Sequence, residues 1–381
     1  MSPCLSHLRP KLLILLFLLI TSCTAESFNG CFSSIISFGD SLADTGNYIY
    51  THPRHKSNSF PYGETYFRRP TGRSSDGRLV IDFIAEAFGI PLVPPFLPKN
   101  GDFSRGVNFA VTGSTALPSG FFDERGIVLS VTNISLGDQL QWFKQLLPSL
   151  CPASSDCRNV FRRTLFVVGE IGGNDLNYPF GQGWGGIDQV RSFLPQIVFT
   201  IKSAVEMLIE HGATSLVVPG NLPIGCSPSY LANPMNNSPG EDDRDSKTGC
   251  LNHFNAFAEE FNQQLRKELD RLRARHRVNI VYADYYNAAM RVFRSPHRFG
   301  FDEALKACCG GGGQYNYNVS VSCGSVGAQV CKDPSLFVNW DGIHLTEAMY
   351  RSIAEALLKG PYTYPSISSM CHPPPTPFTT M

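Results

Sequence analysis

Three side chains in this sequence have the types that nucleophilic catalysis uses: Ser41, Asp341 and His344. Ser41 stands in Ile35-Ile36-Ser37-Phe38-Gly39-Asp40-Ser41-Leu42-Ala43-Asp44-Thr45-Gly46-Asn47. The stretch opens with apolar residues of β character, breaks at Gly39 and continues in small and polar residues, so it reads as a strand running into a turn. The carboxyl end of such a strand presents side chains to a crevice, and a serine there is a nucleophile when a base reaches it. The plainer reading makes Ser41 a cap on the next helix. Far along the chain, Asn339-Trp340-Asp341-Gly342-Ile343-His344-Leu345-Thr346-Glu347 sets Asp341 and His344 three residues apart across a glycine. A short turn folds that carboxylate onto the imidazole, fixing its tautomer and steadying its cation. The plainer reading is an Asp341 that caps a helix starting near Thr346, with His344 in solvent.

Two glycine turns offer donors to go with these groups. Asn108-Phe109-Ala110-Val111-Thr112-Gly113-Ser114 is a strand ending at a glycine, whose bare backbone N–H is what an oxyanion needs. An ordinary strand-to-loop corner also needs a glycine there. Gly169-Glu170-Ile171-Gly172-Gly173-Asn174-Asp175 follows another strand, and the Asn174 amide could face a developing oxyanion. Asn after two glycines is also common turn chemistry. A phosphate cradle fits poorly, because no Gly-Lys-Ser/Thr follows.

Taken together, the stretches Phe38–Asn47, Asn108–Ser114, Gly172–Asp175 and Asp341–His344 resemble the plant GDSL esterase/lipase family, a branch of the SGNH hydrolases. The blocks stand in the family's order and span the chain from about residue 31 to about residue 360. The resemblance implies a three-layer α/β/α sandwich with a mostly parallel five-stranded sheet. It also implies a triad of Ser41, Asp341 and His344, and an oxyanion hole from the Ser41 and Gly113 N–H groups and the Asn174 amide. The activity implied is hydrolysis of carboxylic esters, with a small-molecule ester as the partner and no cofactor or metal. The stretch Cys308-Cys309-Gly310-Gly311-Gly312-Gly313-Gln314-Tyr315-Asn316-Tyr317-Asn318 is similar to plant members associated with small acetyl or phenylpropanoid esters, the acetylajmalan esterase-like and sinapine esterase-like proteins. The Gly-x-Ser-x-Gly elbow of α/β-hydrolases is absent.

Positioning these groups falls to strands near residues 33, 107, 164, 214 and 278, alternating with helices. That alternation argues for a parallel sheet covered on both faces. Helical spacing is clear at 79–88, 135–147 and 348–358. Residues 187–211 read as a long helix with a kink or restart at Pro195. Residues 251–276 form an amphipathic helix with Phe254, Phe257, Phe261, Leu265, Leu269 and Leu272 on its buried stripe. Residues 48–77 read as a long polar loop; His52 and His55 there are ligand-like types in a solvated setting. No linker or repeat divides the chain, so one domain is expected from about 26 to 381, with a loose proline-rich tail from about Pro361.

The first 25 residues read as a secretory signal: Arg9 and Lys11, an apolar run at 12–20, then Cys23-Thr24-Ala25. A run of nine is too short for a membrane span, which needs about 20. The expectation is therefore a secreted, extracellular or vacuolar protein without stable membrane insertion. The 32 basic and 32 acidic residues balance, which argues against nucleic acid as a partner. Removing the leader takes Cys4 and Cys23 from the 12 cysteines, and an even remainder in a secreted chain suggests disulfides. Spacing nominates Cys151 with Cys157, Cys226 with Cys250, and Cys323 with Cys331, while the adjacent Cys308 and Cys309 pair outward to different partners. A zinc site lacks any Cys-x-x-Cys pair. Asn133, Asn236 and Asn318 head glycosylation sequons.

Two rival functions share these residues. An acyltransferase would pass the acyl group to an alcohol instead of water. A non-catalytic binding protein on the same fold would be expected to have lost Ser41, Asp341 or His344.

Overall fold

The computed structural model describes residues 28, 30–99, 101–152, 156–233 and 243–371. The proposed leader, the Asn236 sequon and the last ten residues lie outside them. Five apolar segments form parallel strands: β1 (Ser34–Phe38), β2 (Gly106–Asn108), β3 (Thr164–Val168), β4 (Ser215–Pro219) and β5 (Asn279–Ala283). The sheet runs β2-β1-β3-β4-β5. Leu165 and Val167 of β3 enter one core, Phe166 and Val168 the other. Burial of both faces is why these strands read as unbroken apolar runs.

The helices that cover the sheet are α1 (Val80–Ala87), α2 (Leu136–Leu150), α3 (Asn174–Gly181), α4 (Leu194–Glu210), α5 (Asn252–Arg275), α6 (Tyr285–Phe293) and α7 (Glu347–Lys359). The apolar residues of α1, α6 and α7 fill the first core; those of α2, α4 and α5 fill mainly the second. The stripe of α5 packs as its spacing predicts, except that Phe254 joins a smaller cluster with Tyr230 and Leu231. Pro195 marks a restart: a short helix ends at Arg191 and α4 begins at Leu194, with the proline in its first turn. The stretch Ile187–Glu210 is apolar and long enough to cross a membrane by composition, but Ile197, Ile201, Val205 and Leu208 are buried against the sheet.

Order β2-β1-β3 places a topological switch point at β1, where chain connections leave in opposite directions. Crevices for ligands open there, at the carboxyl ends of the strands.

Two expectations need correction. The sheet has a sixth strand, Thr363–Tyr364, antiparallel to β5, in the segment read as a loose tail. A two-residue strand between prolines has no period to detect, and an edge is where prolines are tolerated. The Cys31–Cys371 disulfide ties the segment beyond it to the start of β1's segment. Cys323 does not pair with Cys331. The bridges are Cys309–Cys323 and Cys308–Cys331, beside Cys151–Cys157 and Cys226–Cys250 as expected. The Cys308 carbonyl accepts the Cys331 N–H at 2.7 Å, which sets these two residues side by side and leaves Cys323 to Cys309.

Candidate active site

The turn after β1 is built by hydrogen bonds that its own residues supply. Gly39 has φ +140°, and a Cβ there would meet the Glu170 carbonyl oxygen at 3.0 Å, so only glycine lets β1 and β3 come this close. Gln139 of α2 clamps Gly39 from outside, accepting its N–H at 2.9 Å and donating to its carbonyl at 2.8 Å. Asp44 is wholly buried. It accepts the N–H groups of Gly46, Asn47, Tyr48 and Thr112 and the Thr112 hydroxyl, all within 3.1 Å. The Asn47 amide donates to the carbonyls of Asn108 and Ala110, and Asn108 donates to that of Ala43. The turn carrying Ser41 and the turn carrying Gly113 are therefore one hydrogen-bonded body. Ser41 itself is 6% exposed.

Ser41 Oγ lies 2.8 Å from His344 Nε2, across 303 residues of sequence. His344 Nδ1 lies 2.7 Å from Asp341 Oδ2. With Nδ1–H donated to the carboxylate, Nε2 is left as the acceptor for the serine hydroxyl. The other carboxylate oxygen, Oδ1, accepts the N–H groups of Ile343 and His344 and so shapes the turn. Asp341 thus both caps its turn and faces the imidazole, while the helix beyond is capped by Thr346. Gly342 has φ +101°, and the Tyr317 ring occupies the space a Cβ there would need, so both call for glycine. Its carbonyl accepts from Ser227 Oγ at 2.5 Å and from the Ser229 N–H at 3.0 Å.

Electrostatics favours a charge-paired relay. Burial alone would raise the Asp341 pKa, but the His344 charge and hydrogen bonds outweigh it and bring it down to about 2. Burial lowers the His344 pKa, yet the Asp341 charge and hydrogen bond overcome this and hold it above the usual imidazole value. The imidazole is therefore a stronger base than a free one.

The Ser41 and Gly113 N–H groups donate to nothing among the described residues. Asn174 differs from expectation. Its amide nitrogen already donates to the Ser114 carbonyl at 2.9 Å and to Asp40 Oδ2 at 3.2 Å. The longer of these bonds must yield for Asn174 to serve as a third donor. Asp40 and Glu170 lie together beneath it. Burial and then the neighbouring Asp40 charge push the Glu170 carboxyl well above its ordinary range, so the pair holds a proton. Ser41, Asn174 and Glu170 line a narrow cavity of about 60 Å³.

Four residues that sequence reasoning passed over hold this arrangement. Tyr62, 279 residues from its partner, donates its buried hydroxyl to Asp341 Oδ2 at 2.8 Å. Asp44 ties the turns after β1 and β2 as described. Asp175 accepts the Ala116 and Leu117 N–H groups at 2.7 and 2.9 Å, joining α3 to the Gly113 loop. Glu170 forms the carboxyl pair with Asp40. Asp44, Glu170 and Asp175 stood inside stretches already singled out, whereas nothing local marks Tyr62. His52 and His55 pack on the Tyr48 ring. Asn133 and Asn318 are exposed.

The family model for GDSL-like lipase/acylhydrolase matches residues 35–357. A GDSL esterase/lipase of Arabidopsis thaliana is 50% identical over 364 residues, covering 94% of this chain and 90% of that protein. A second one from Arabidopsis thaliana is 47% identical, covering 93% of each. The sinapine esterase of Brassica napus is 47% identical over 367 residues, 94% of this chain and 93% of that one.

Proposed function

The chain belongs to the GDSL-like lipase/acylhydrolase family and is a carboxylic-ester hydrolase, and we propose that it works through an acyl-enzyme on Ser41 with small esters as substrates. The observation that carries this reading is the relay of 2.8 and 2.7 Å from Ser41 through His344 to Asp341. Ser41 Oγ attacks the ester carbonyl carbon while its proton passes to His344 Nε2. Asp341 holds the resulting imidazolium, and the Ser41 and Gly113 N–H groups receive the oxyanion, joined by Asn174 when its bond to Asp40 opens. The Nε2 proton then goes to the departing alcohol. Water, activated by the same imidazole, releases the acid. Each oxyanion donor is worth about 10²–10³ in rate.

The narrowness of the cavity supports small substrates, as does the likeness to a protein named sinapine esterase. Five disulfides support passage through an oxidising secretory route, to the extracellular space or vacuole. The exposed Asn133 and Asn318 are the sequons this reading assigns to glycans among the described residues.

The test is hydrolysis of p-nitrophenyl esters from acetyl to palmitoyl by the mature chain and by Ser41→Ala. Activity confined to short chains, and lost in a folded Ser41→Ala protein, is expected. Undiminished turnover in that variant would remove Ser41 as nucleophile, and rates rising toward palmitoyl would make the chain a lipase with a long acyl channel.

A further inference from the structure

Among the described residues, two buried polar atoms of side chains that line the Ser41 cavity have no hydrogen-bond partner: Glu170 Oε1 and Asn221 Nδ2. They stand just beyond the carboxyl ends of neighbouring strands, β3 and β4, which pair Val167 with Val217. The Asn221 backbone is fixed independently of its side chain. Its N–H donates to Asn262 Oδ1 at 2.7 Å and its carbonyl accepts from Asn262 Nδ2 at 3.0 Å. A buried donor or acceptor left bare costs about 1–3 kcal/mol. Two in one small cavity therefore call for a ligand group that completes them.

The rest of the cavity wall is largely apolar, with Leu222, Ile224, Ala289, Phe293 and Leu345. Of the polar side chains there, Asn174, Tyr230 and Asn339 already donate to the Ser114 carbonyl, Asn177 Oδ1 and the Ala304 carbonyl. Glu170 Oε1, a carboxyl oxygen that receives no donor among the described residues, is the acceptor of the two. Asn221 Nδ2 is a donor. One donor and one acceptor together match a hydroxyl, which needs both.

The cavity also has an order of entry. Its floor residues Glu170, Asn221 and Leu345 are buried, and Ile343 at its mouth is exposed. Through Asn177, Tyr230 and Ile343 it adjoins a wider groove of about 520 Å³ bordered by Phe180, Gly311 and Tyr317. An acyl-enzyme keeps its acyl group while the alcohol departs. The narrow, buried compartment suits the group that stays, and the wide groove suits the one that leaves.

We propose that the narrow cavity is the acyl subsite and that Asn221 Nδ2 and Glu170 Oε1 bind a hydroxyl on a short acyl chain, so that esters of short hydroxy acids are preferred. This rests on the Ser41 acyl-enzyme reading. The test compares p-nitrophenyl 3-hydroxybutyrate with p-nitrophenyl butyrate. The unaltered chain should favour the hydroxylated ester about tenfold in kcat/KM, the scale of one net hydrogen bond. Asn221→Leu should bring the ratio of the two esters' kcat/KM to near one; Asn221→Ala serves the same end if leucine does not fit. A ratio near one in the unaltered chain, or an unchanged ratio in the Asn221 variants, overturns the proposal. Calorimetric titration of ethyl 3-hydroxybutyrate and ethyl butyrate into the Ser41→Ala protein reads the subsite without turnover. Tighter binding of the hydroxy ester is expected, and equal affinities overturn the subsite. Preference in binding, with no hydrolysis by the unaltered chain, would overturn the esterase reading and leave the subsite standing.

Discussion

Ser41 hangs from the end of β1 inside a net whose partners, Asp44, Asn47, Asn108 and Thr112, come from the same two turns and are buried with them. His344 stands on a turn held by pieces from across the chain. Tyr62 reaches it from the loop before α1, Ser227 and Ser229 from the segment after β4, and Tyr317 from the cysteine-rich segment. Behind Tyr62 and Trp340 lie Cys308, Cys309 and Cys323 in a small cluster of their own. The nucleophile is thus part of the sheet's own fabric, and the base is mounted on a cross-linked outwork. Damage to the first should cost the fold, and damage to the second should cost activity in a folded protein.

The sharpest way to break the second half is Asp341→Asn. The side chain keeps its size and one acceptor for the turn, but it no longer holds the imidazole in the tautomer that accepts the serine proton. A fall in kcat of about 10⁴ is expected, read from short-chain ester hydrolysis, with melting changed by only a few degrees. A fall under tenfold would mean that another group orients His344.

On the nucleophile side the matching change is Asp44→Ala. It strands four N–H groups and a hydroxyl in a buried site, so about 3 kcal/mol or more of stability should go. Urea unfolding midpoints check this. A variant as stable as its parent, with activity lost, would reverse the contrast between the two halves.

Next comes the cross-linking. Replacing Cys309 and Cys323 by Ala opens a loop of 14 residues, a constraint worth about 3 kcal/mol in the chain-entropy account. Because that loop backs the histidine turn, kcat should fall about tenfold, the order of 1.4 kcal/mol in the barrier. Replacing Cys151 and Cys157, which close a short loop after α2, should leave kcat unchanged. Equal effects of the two replacements would show that the disulfides serve stability alone.

The same contrast explains what the sequence could reveal. Ser41 was legible because it follows β1, whose apolar run is visible locally, whereas Gly113 and Asn174 lie further beyond β2 and β3, and the stretch 109–113 read as strand is loop and turn. Asp341 and His344 were legible because they are three residues apart. Tyr62 was not, because its role depends on a contact 279 residues away in a loop without periodicity. The pairing of Cys323 was misread for the same reason: proximity in sequence favoured Cys331, whereas the backbone contact of Cys331 with Cys308 decided it. The commitment of the Asn174 amide to Ser114 and Asp40 likewise follows from the meeting of the loops after β1, β2 and β3 and not from any motif.

The smallest effect is also the most discriminating. Tyr62→Phe removes one hydroxyl that donates to the same Asp341 oxygen as His344 does. Burial and the Asp341 charge raise the Tyr62 pKa well above its ordinary value, so it remains a donor at every working pH. While it donates, it draws off part of the Asp341 charge and weakens the pull on the imidazolium. Without it, His344 should be held still further above its ordinary value. Hydrolysis needs neutral His344, so the acid limb of kcat/KM, already expected above the free-imidazole value of about 6.5, should move to higher pH in the variant. The rate on the plateau should fall about threefold to tenfold. The sign for stability runs with it. A raised histidine pKa adds stability below about 6.5 that is lost as pH rises through the folded value, and Asp341, depressed to about 2, adds stability above about 3.9 that is lost as pH falls toward 2. The pair therefore supports the fold most fully between about pH 4 and 6.5, below the range where it is most active. An acid limb that moved to lower pH in Tyr62→Phe would mean that the tyrosine strengthens the relay, and that the histidine turn depends on it for charge as well as for place.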